Sequence, residues 1–395
     1  MPSLIPAEYH PYSLRDAALA LSSCRTPAAG PPATLTFPGI GEGTALRSAR
    51  AAVVIALKAL ELPAGSNVGV PLYCCPVVFK AIRAAGCRPR FIDVEADSHC
   101  LSVRDLEAKS RELDAVIAVH MFGHLCDMPG ILGIMRGRPV IEDCAQSLGS
   151  RLDDRPCGSY GDAAFFSFRS GKYLAVGEGA ALFAKDPGLN ARMAGLVADL
   201  PVPTRAEEFK HVLNTLARST LRSRPWWGLV GAKIWAVYNE RTEFIDKSPI
   251  VLGRMFASDL AVYRRRLPRL EAMIAAQRAH ARSLDRGLRL GTTRLPVEPL
   301  RARTNGFMYP VVFDSIDDRK AMAAFLKRHG VGTATPYEHT PEGAAENYGY
   351  RRDCPEAERL LARTLVIPSY YALRPRDLTR IVRLANEGWA SIRNA

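Results

Sequence analysis

The sequence predicts an α/β protein: a large, mostly parallel sheet covered by helices, then a smaller C-terminal α+β domain. Three observations predict it. Between residues 45 and 143, short apolar runs alternate with stretches of helical periodicity, the rhythm of crossover units that lay strands parallel. From residue 187 that rhythm is lost. The chain also has 395 residues, more than one small core usually holds when domains run ~100–200 residues.

The elements follow in order. Residues 1–42, rich in Pro and Gly, read as an N-terminal arm. Ala45, Ala49, Ala52, Val53, Ala56, Leu57 and Leu60 recur at helical spacing, so a helix is expected over 45–62, ended by Pro63 and Gly65. Strands are expected at 67–71, 90–94, 115–119 and 139–141, the last followed by a polar turn at Glu142-Asp143. Helices are expected between them, at 77–85, 103–113 and 128–135. Ligands of such sheets gather beyond the carboxyl ends of the strands, and Tyr73, His120 and Asp143 each follow an expected strand. Residues 254–290 read as one long helix, and the last hundred residues as an apolar strand at 308–313, a segment at 331–334, and helices at 321–329, 356–364 and 375–393. The expected organisation is an arm (1–42), a large domain (43–253) with an aromatic and basic insertion near 200–250, and a connecting helix with a small domain (254–395).

Composition narrows the classes. With 48% hydrophobic and 24% charged residues, the chain is an ordinary globular one, which excludes disorder, collagen and coiled coil as its main architecture. No apolar stretch approaches the ~20 residues of a membrane span. The apolar run at 17–21 is too short for a signal peptide, and nine scattered cysteines lack metal-ligand spacing, so a reduced, cytoplasmic chain is expected. The net charge of +13 is spread over clusters such as Arg264-Arg265-Arg266. Zinc-finger spacing, an RNP-like motif and a helix-turn-helix are all absent, so nucleic acid is not the expected partner. The clusters read first as solvated helix faces, and phosphorylated small molecules are among the partners that a basic excess allows.

Three stretches carry chemistry. Leu46-Arg47-Ser48-Ala49-Arg50 sets a hydroxyl, small residues and a guanidinium at a helix N-terminus, which suits a phosphate as well as a simple cap. Ile141-Glu142-Asp143-Cys144-Ala145-Gln146 puts a carboxylate and an amide after an apolar strand. Gly161-Asp162-Ala163-Ala164-Phe165-Phe166-Ser167-Phe168-Arg169-Ser170-Gly171-Lys172 leads from an aromatic strand to a lysine, with Gly177-Glu178-Gly179-Ala180 beyond.

Together these stretches resemble the fold-type I pyridoxal-phosphate enzymes, and among them the DegT/DnrJ/EryC1/StrS sugar aminotransferases. That family's pattern is Glu-Asp-Ala-Ala-Gln, Gly-Asp, Phe-Ser-Phe, a lysine and Gly-Glu-Gly-Gly. Val70-Pro71-Leu72-Tyr73-Cys74-Cys75-Pro76, Val119-His120-Met121-Phe122-Gly123 and Pro355-Glu356-Ala357-Glu358-Arg359-Leu360 with Ile367-Pro368 extend the similarity over most of residues 38–190 and 254–390. The resemblance implies a fold-type I transferase with a large sheet of the seven-stranded type and pyridoxal 5'-phosphate as cofactor. Lys172 would carry the cofactor covalently and move the proton. Asp143 would face the pyridine nitrogen and Gln146 the phenolic oxygen. Ser48, Ala49, Arg50 and Ser167 would hold the phosphate, with Cys75 against the ring. His120, Tyr337 and Tyr73 are the substrate-side candidates, and Glu178 is expected to support the lysine loop.

The chain departs from the pattern in three places. Cys75 stands where the family usually stacks an aromatic ring. Leu252-Gly253-Arg254-Met255 replaces Asn-Tyr-Arg-Met, whose Asn commonly reaches the neighbouring subunit's phosphate, so that contact is absent or moved, with Asn239 as the alternative. The insertion at 200–250 is longer and more aromatic than usual. The expected activity is transfer of an amino group from glutamate to a keto-sugar, nucleotide-linked, by a homodimer with shared active sites. The alternatives are a sugar dehydratase or other carbanion chemistry, which Lys172 argues against, and a non-catalytic regulatory protein on the same scaffold. For the aromatic stretch 221–238, a lid or subunit interface is favoured over peripheral membrane contact.

Overall fold

The computed structural model describes residues 4–24, 30–37, 39–231, 249–291, 293, 296 and 301–394. An eight-stranded sheet forms the centre, in the order β1-β2-β10-β9-β6-β5-β3-β4. Its parallel part comprises β3 (Asn67–Pro71), β4 (Arg88–Ile92), β5 (Ala115–Val119), β6 (Val140–Asp143) and β9 (Ala163–Ser167). The antiparallel part is β10 (Ala180–Ala184), β2 (Gly41–Leu46) and β1 (Thr34–Phe37). Seven strands plus the outer β1 thus make the sheet. β5 is buried along its whole length, because a parallel strand covered on both faces must be apolar throughout.

The first helix at the site, α2 (Ala49–Ala59), starts later than its periodicity predicts: Ala45 and Leu46 belong to β2, and Ser48 is the N-cap, its Oγ accepting from Ala51 N–H at 3.3 Å. The small apolar residues that look like a first helical turn are instead buried strand. Among its described residues the arm 1–42 holds α1 (Leu14–Ser23), β1 and the start of β2, and α1 starts from a Ser13–Asp16 capping box. The crossover helices α3 (Val77–Ala84), α4 (Val103–Lys109) and α5 (Met128–Met135) fall where expected.

Glu142 and Asp143 lie inside β6 rather than in a turn. Glu142 can be buried because its carboxylate accepts backbone N–H from Gly158, Tyr160 and Gly161 at 2.6–2.8 Å and faces His120 Nε2 at 3.0 Å. A saturated buried carboxylate is tolerated where a bare one is not.

After α6 (Pro187–Ala198) and α7 (Arg205–Arg222), the expected long helix is broken into α8 (Ala257–Arg266) and α9 (Leu270–Gly287) by a 3-10 turn containing Pro268, which cannot donate to the helix ladder. The C-terminal part packs β12 (Tyr309–Val312) antiparallel to β13 (Thr364–Ile367) with α10 (Ile316–Arg328), α11 (Thr340–Tyr348), α12 (Pro355–Arg363) and α13 (Pro375–Arg393). Residues 331–334 contribute two isolated bridges, to Ile5 and Val366, and no strand. Leu284, Phe313, Leu326, Leu365, Ile381 and Trp389 belong to this part's own core. A short sheet of β11 (Ala302–Arg303), β7 (Arg151–Leu152) and β8 (Arg155–Pro156) joins the two parts. Among the described residues no helix is long and apolar enough to cross a membrane.

Asn305 locks the small part to the loop after β6. It is fully buried, and its Nδ2 donates to the carbonyls of Gln146 and Leu148 at 2.9 and 3.0 Å while its Oδ1 accepts from Phe307 N–H at 2.9 Å. Asn305→Ala leaves two carbonyls and one N–H buried without this partner, so a loss of about 2–4 kcal/mol is expected. Denaturant unfolding read as a fall in midpoint at unchanged slope checks it.

Candidate active site

In the sheet, β3 leads to β4 on one side and the chain returns to β5 on the other, so the topology reverses between β3 and β5. Crevices form beyond the carboxyl edge at such points. A cavity of about 680 Å³ opens there, inside the ~300–1,000 Å³ range of small-molecule sites. It gathers Ser48, Ala49, Arg50, Cys75, Asp143, Gln146, Ser167, Lys172 and Tyr337, residues from five separate parts of the chain.

Lys172 sits on the loop after β9. Its side chain is half-buried, with Nζ 4.7 Å from the centroid of the Phe307 ring. Burial of the amine, then the Arg169 charge, outweighs the pull of Asp143 and brings its pKa down to about 8. The loop is fixed from behind. Glu178 N–H donates to Asp259 Oδ2 at 3.1 Å, and Asp259 Oδ1 lies 2.9 Å from His211 Nε2. Gly177, at φ 129, approaches that pair so closely that a Cβ would meet Asp259 and His211 at 2.9 Å, which only glycine permits. The Glu178 carboxylate turns to Arg47 at 3.4 Å, anchoring the loop to the start of α2.

Asp143 closes the cavity floor at the end of β6, 6% exposed. Burial raises its pKa, and the Ala145 N–H, at 2.9 Å from Oδ1, works against that rise. Gln146 accepts Phe122 N–H at 3.1 Å and reaches Tyr337 Oη at 3.4 Å. Phe122 and Tyr337 both hold left-handed φ, 55° and 67°, a strain of about 1–3 kcal/mol each for non-glycine residues that concentrates around this amide. At the opposite wall, Ser48 caps α2 and Arg50 stands in its first turn. A cation there opposes the helix dipole unless an anion sits between them.

Two candidates do not reach the cavity. His120 is buried behind it, with Nε2 on Glu142 and Nδ1 accepting Cys126 N–H at 3.1 Å. Tyr73 is fully buried under Tyr337 and Phe122, edge-on to both. A position after a strand fixes which edge a residue occupies, but not which way its ring turns. Conversely, Arg47, Arg169, Arg222, Glu8 and His10 line the cavity. Of these, only Arg169 stands within the lysine motif. Glu8 and His10 arrive because the arm crosses the mouth, where His10 Nε2 lies 2.6 Å from Arg222 Nη1 and 3.4 Å from Glu8 Oε2. Burial opposes the Glu8 charge, but the His10 contact overrides it and holds the carboxyl down at about 2.

The insertion contributes Trp227, Pro249 and Val251 to the same wall. Residues 232–248, with Asn239, lie outside the described residues. Leu46 and Arg254 form an isolated antiparallel bridge, and the Arg254 guanidinium donates to the carbonyls of Gly30 and Ala198.

The fold and cavity define an α/β protein whose sheet edge gathers an amine of lowered pKa and a buried carboxylate in one cavity. The chain belongs to the DegT/DnrJ/EryC1/StrS aminotransferase family, whose model matches residues 33–385. It is 27% identical over 349 residues to UDP-N-acetyl-3-dehydro-alpha-D-glucosamine 3-aminotransferase of Acidithiobacillus ferrooxidans, covering 87% of this chain and 83% of that one. To L-glutamine:scyllo-inosose aminotransferase of Streptomyces griseus it is 35% identical over 152 residues, covering 38% and 36%. Among solved structures, the putative sugar aminotransferase Spr1654 from Streptococcus pneumoniae in its PMP form superposes with TM-score 0.75 at 17% identity, covering 99% of both chains.

Proposed function

We propose that this enzyme uses pyridoxal 5'-phosphate to move an amino group from glutamate to a keto-sugar, nucleotide-linked, in amino-sugar biosynthesis. The observation that carries it is one cavity holding an amine with a depressed pKa and a buried carboxylate, with a capped helix N-terminus at the wall. These residues fit the cofactor by their chemistry: an amine for an aldehyde, a carboxylate for a ring N–H, and Ser48, Ser167, Arg50 and free N–H groups for a phosphate. When bound, the cofactor supplies an electron sink for the carbon that loses its proton. Lys172 would hold it covalently and its freed amine would serve as the base for that proton. Asp143 would keep the ring nitrogen protonated. Gln146, fixed by Phe122 and Tyr337, would contact the ring's oxygen edge, and Cys75 would lie against the ring where a planar stack is usual.

Trp226, Leu229, Val230 and Val251 leave large apolar side chains 43–50% exposed beside Trp227 and within the wall segment. A second copy of this chain would cover them, which supports a homodimer with shared sites; a cytoplasmic setting suits the nine free cysteines. The test is a two-stage spectrum. Glutamate is expected to convert the loaded enzyme to its pyridoxamine form, and a keto-sugar nucleotide to restore the original absorbance. An enzyme whose spectrum no amino donor changes is not an aminotransferase.

A further inference from the structure

The cavity carries more positive charge than one phosphate calls for. Five arginine and lysine side chains line it against the carboxylates of Glu8, Asp143 and Glu178. Most have assignments: Arg47 pairs with Glu178 and lies 4.4 Å over the Phe256 ring, Arg222 holds His10, Arg50 marks the phosphate end, and Lys172 is the reactive amine. Arg169 is different. It is exposed into the cavity and makes no side-chain hydrogen bond or ion pair with a described residue.

Its place limits which anion it can meet. Arg169 precedes Lys172 by three residues, and the Lys172 N–H donates to the Arg169 carbonyl at 3.0 Å, closing a turn that keeps the two residues together. It lines the cavity together with Lys172, Tyr337 and the arm residues Glu8 and His10, and its charge acts on all four. Any amino donor must bring its nitrogen-bearing carbon to Lys172. The anion one bond from that carbon is the α-carboxylate, whereas a sugar diphosphate is separated from its keto carbon by several ring bonds. Glutamate and glutamine share the α-carboxylate and differ only at the far end.

We propose that Arg169 is the donor-binding residue of this enzyme, gripping the α-carboxylate of the amino donor through its planar fork; the inference rests on the aminotransferase reading above. A guanidinium takes a carboxylate in two parallel hydrogen bonds, which fixes orientation as well as affinity.

The test compares wild type, Arg169→Gln and Arg169→Lys as cofactor-loaded enzymes. L-glutamate, L-glutamine and 4-aminobutyrate are each titrated while the loss of the starting absorbance is followed. 4-Aminobutyrate keeps the amine and the distal carboxylate but lacks the α-carboxylate. Arg169→Gln is expected to raise half-saturation for both amino acids about 10- to 150-fold, the range of a charged hydrogen-bonded contact. It should leave 4-aminobutyrate unchanged and so erase the wild type's selectivity, with Arg169→Lys restoring part of it. Calorimetry with glutarate, which has no amine to react, should show weaker binding to Arg169→Gln without any turnover. Unchanged donor selectivity in a wild type that does react, or a defect confined to saturation by the keto-sugar, overturns the assignment and leaves the aminotransferase reading standing. A wild type inert to every donor overturns both.

Discussion

Lys172→Ala is expected to lower amino transfer by at least ~10⁴-fold, the upper end of what one general base contributes, because the same amine also holds the cofactor. The fold should survive. Burial of the wild-type amine and the neighbouring Arg169 charge both work against its protonated form, so removing it costs little in the apoprotein. Borohydride reduction followed by peptide mass mapping should place the label on the peptide containing residue 172 in wild type and nowhere in the variant; a label on another lysine would end the proposal. The depressed pKa adds a second readout. An amine titrating at about 8 is neutral in about 10% of molecules at pH 7 and about 90% at pH 9, whereas an ordinary lysine is still almost fully protonated at pH 7. Covalent loading of wild type should therefore rise roughly ninefold between pH 7 and 9 and then level off. A rate that keeps climbing past pH 10 would show that the surroundings do not tune this amine.

How much of this was legible beforehand follows from the physics of each part. β3, β5 and the helices Val77–Ala84, Met128–Met135 and Pro375–Arg393 stand where periodicity puts them, because a strand buried on both faces and an amphipathic helix each leave an unambiguous apolar pattern. The antiparallel side was less readable. β2 is made of Gly41-Glu42-Gly43-Thr44-Ala45-Leu46, whose small residues suit its close neighbours (a Cβ at Gly43 would meet Phe183 at 2.6 Å) but carry no alternation. Glu142 and Asp143 looked like a turn because charge in a buried strand is costly, and only the backbone donors of Gly158, Tyr160 and Gly161, far along the chain, make Glu142 tolerable. The motif residues Asp143, Gln146, Ser167 and Lys172 could be singled out because they are close in sequence. Glu8, His10 and Arg222 could not, since they join the cavity only through the path of the arm across α7. The ring of His120 turned inward for the same reason: its partner Glu142 is a neighbour across strands, not along the chain.

Asp143→Asn should separate function from stability more sharply than any other change. The carboxylate sits at the floor of the cavity, where burial raises its pKa and one backbone N–H is its hydrogen-bond compensation. A buried charge of that kind is kept at a cost to the fold. For a carboxyl whose folded pKa is raised, the folded state binds more protons than the unfolded state over the interval between the two values. Stability of the apoprotein therefore falls as pH rises through that interval and stays at the lower level above it. The neutral amide removes this dependence. Apo Asp143→Asn is expected to unfold at a temperature equal to or a few degrees above wild type at pH 8, a difference of about 1 kcal/mol, and to lose its advantage below pH 4. Its amino transfer should fall by ~10³-fold or more, because an amide cannot hold a proton on the ring nitrogen, and the carbon that loses its proton then has no adequate sink. Covalent attachment at Lys172 should persist, since the amine lies at the other end of the site. Thermal unfolding of the apoproteins, half-reaction rates and the borohydride label together decide it. A variant as active as wild type would remove Asp143 from the cofactor's ring, and one that unfolds well below wild type would mean that its carboxylate holds the fold rather than serving the chemistry.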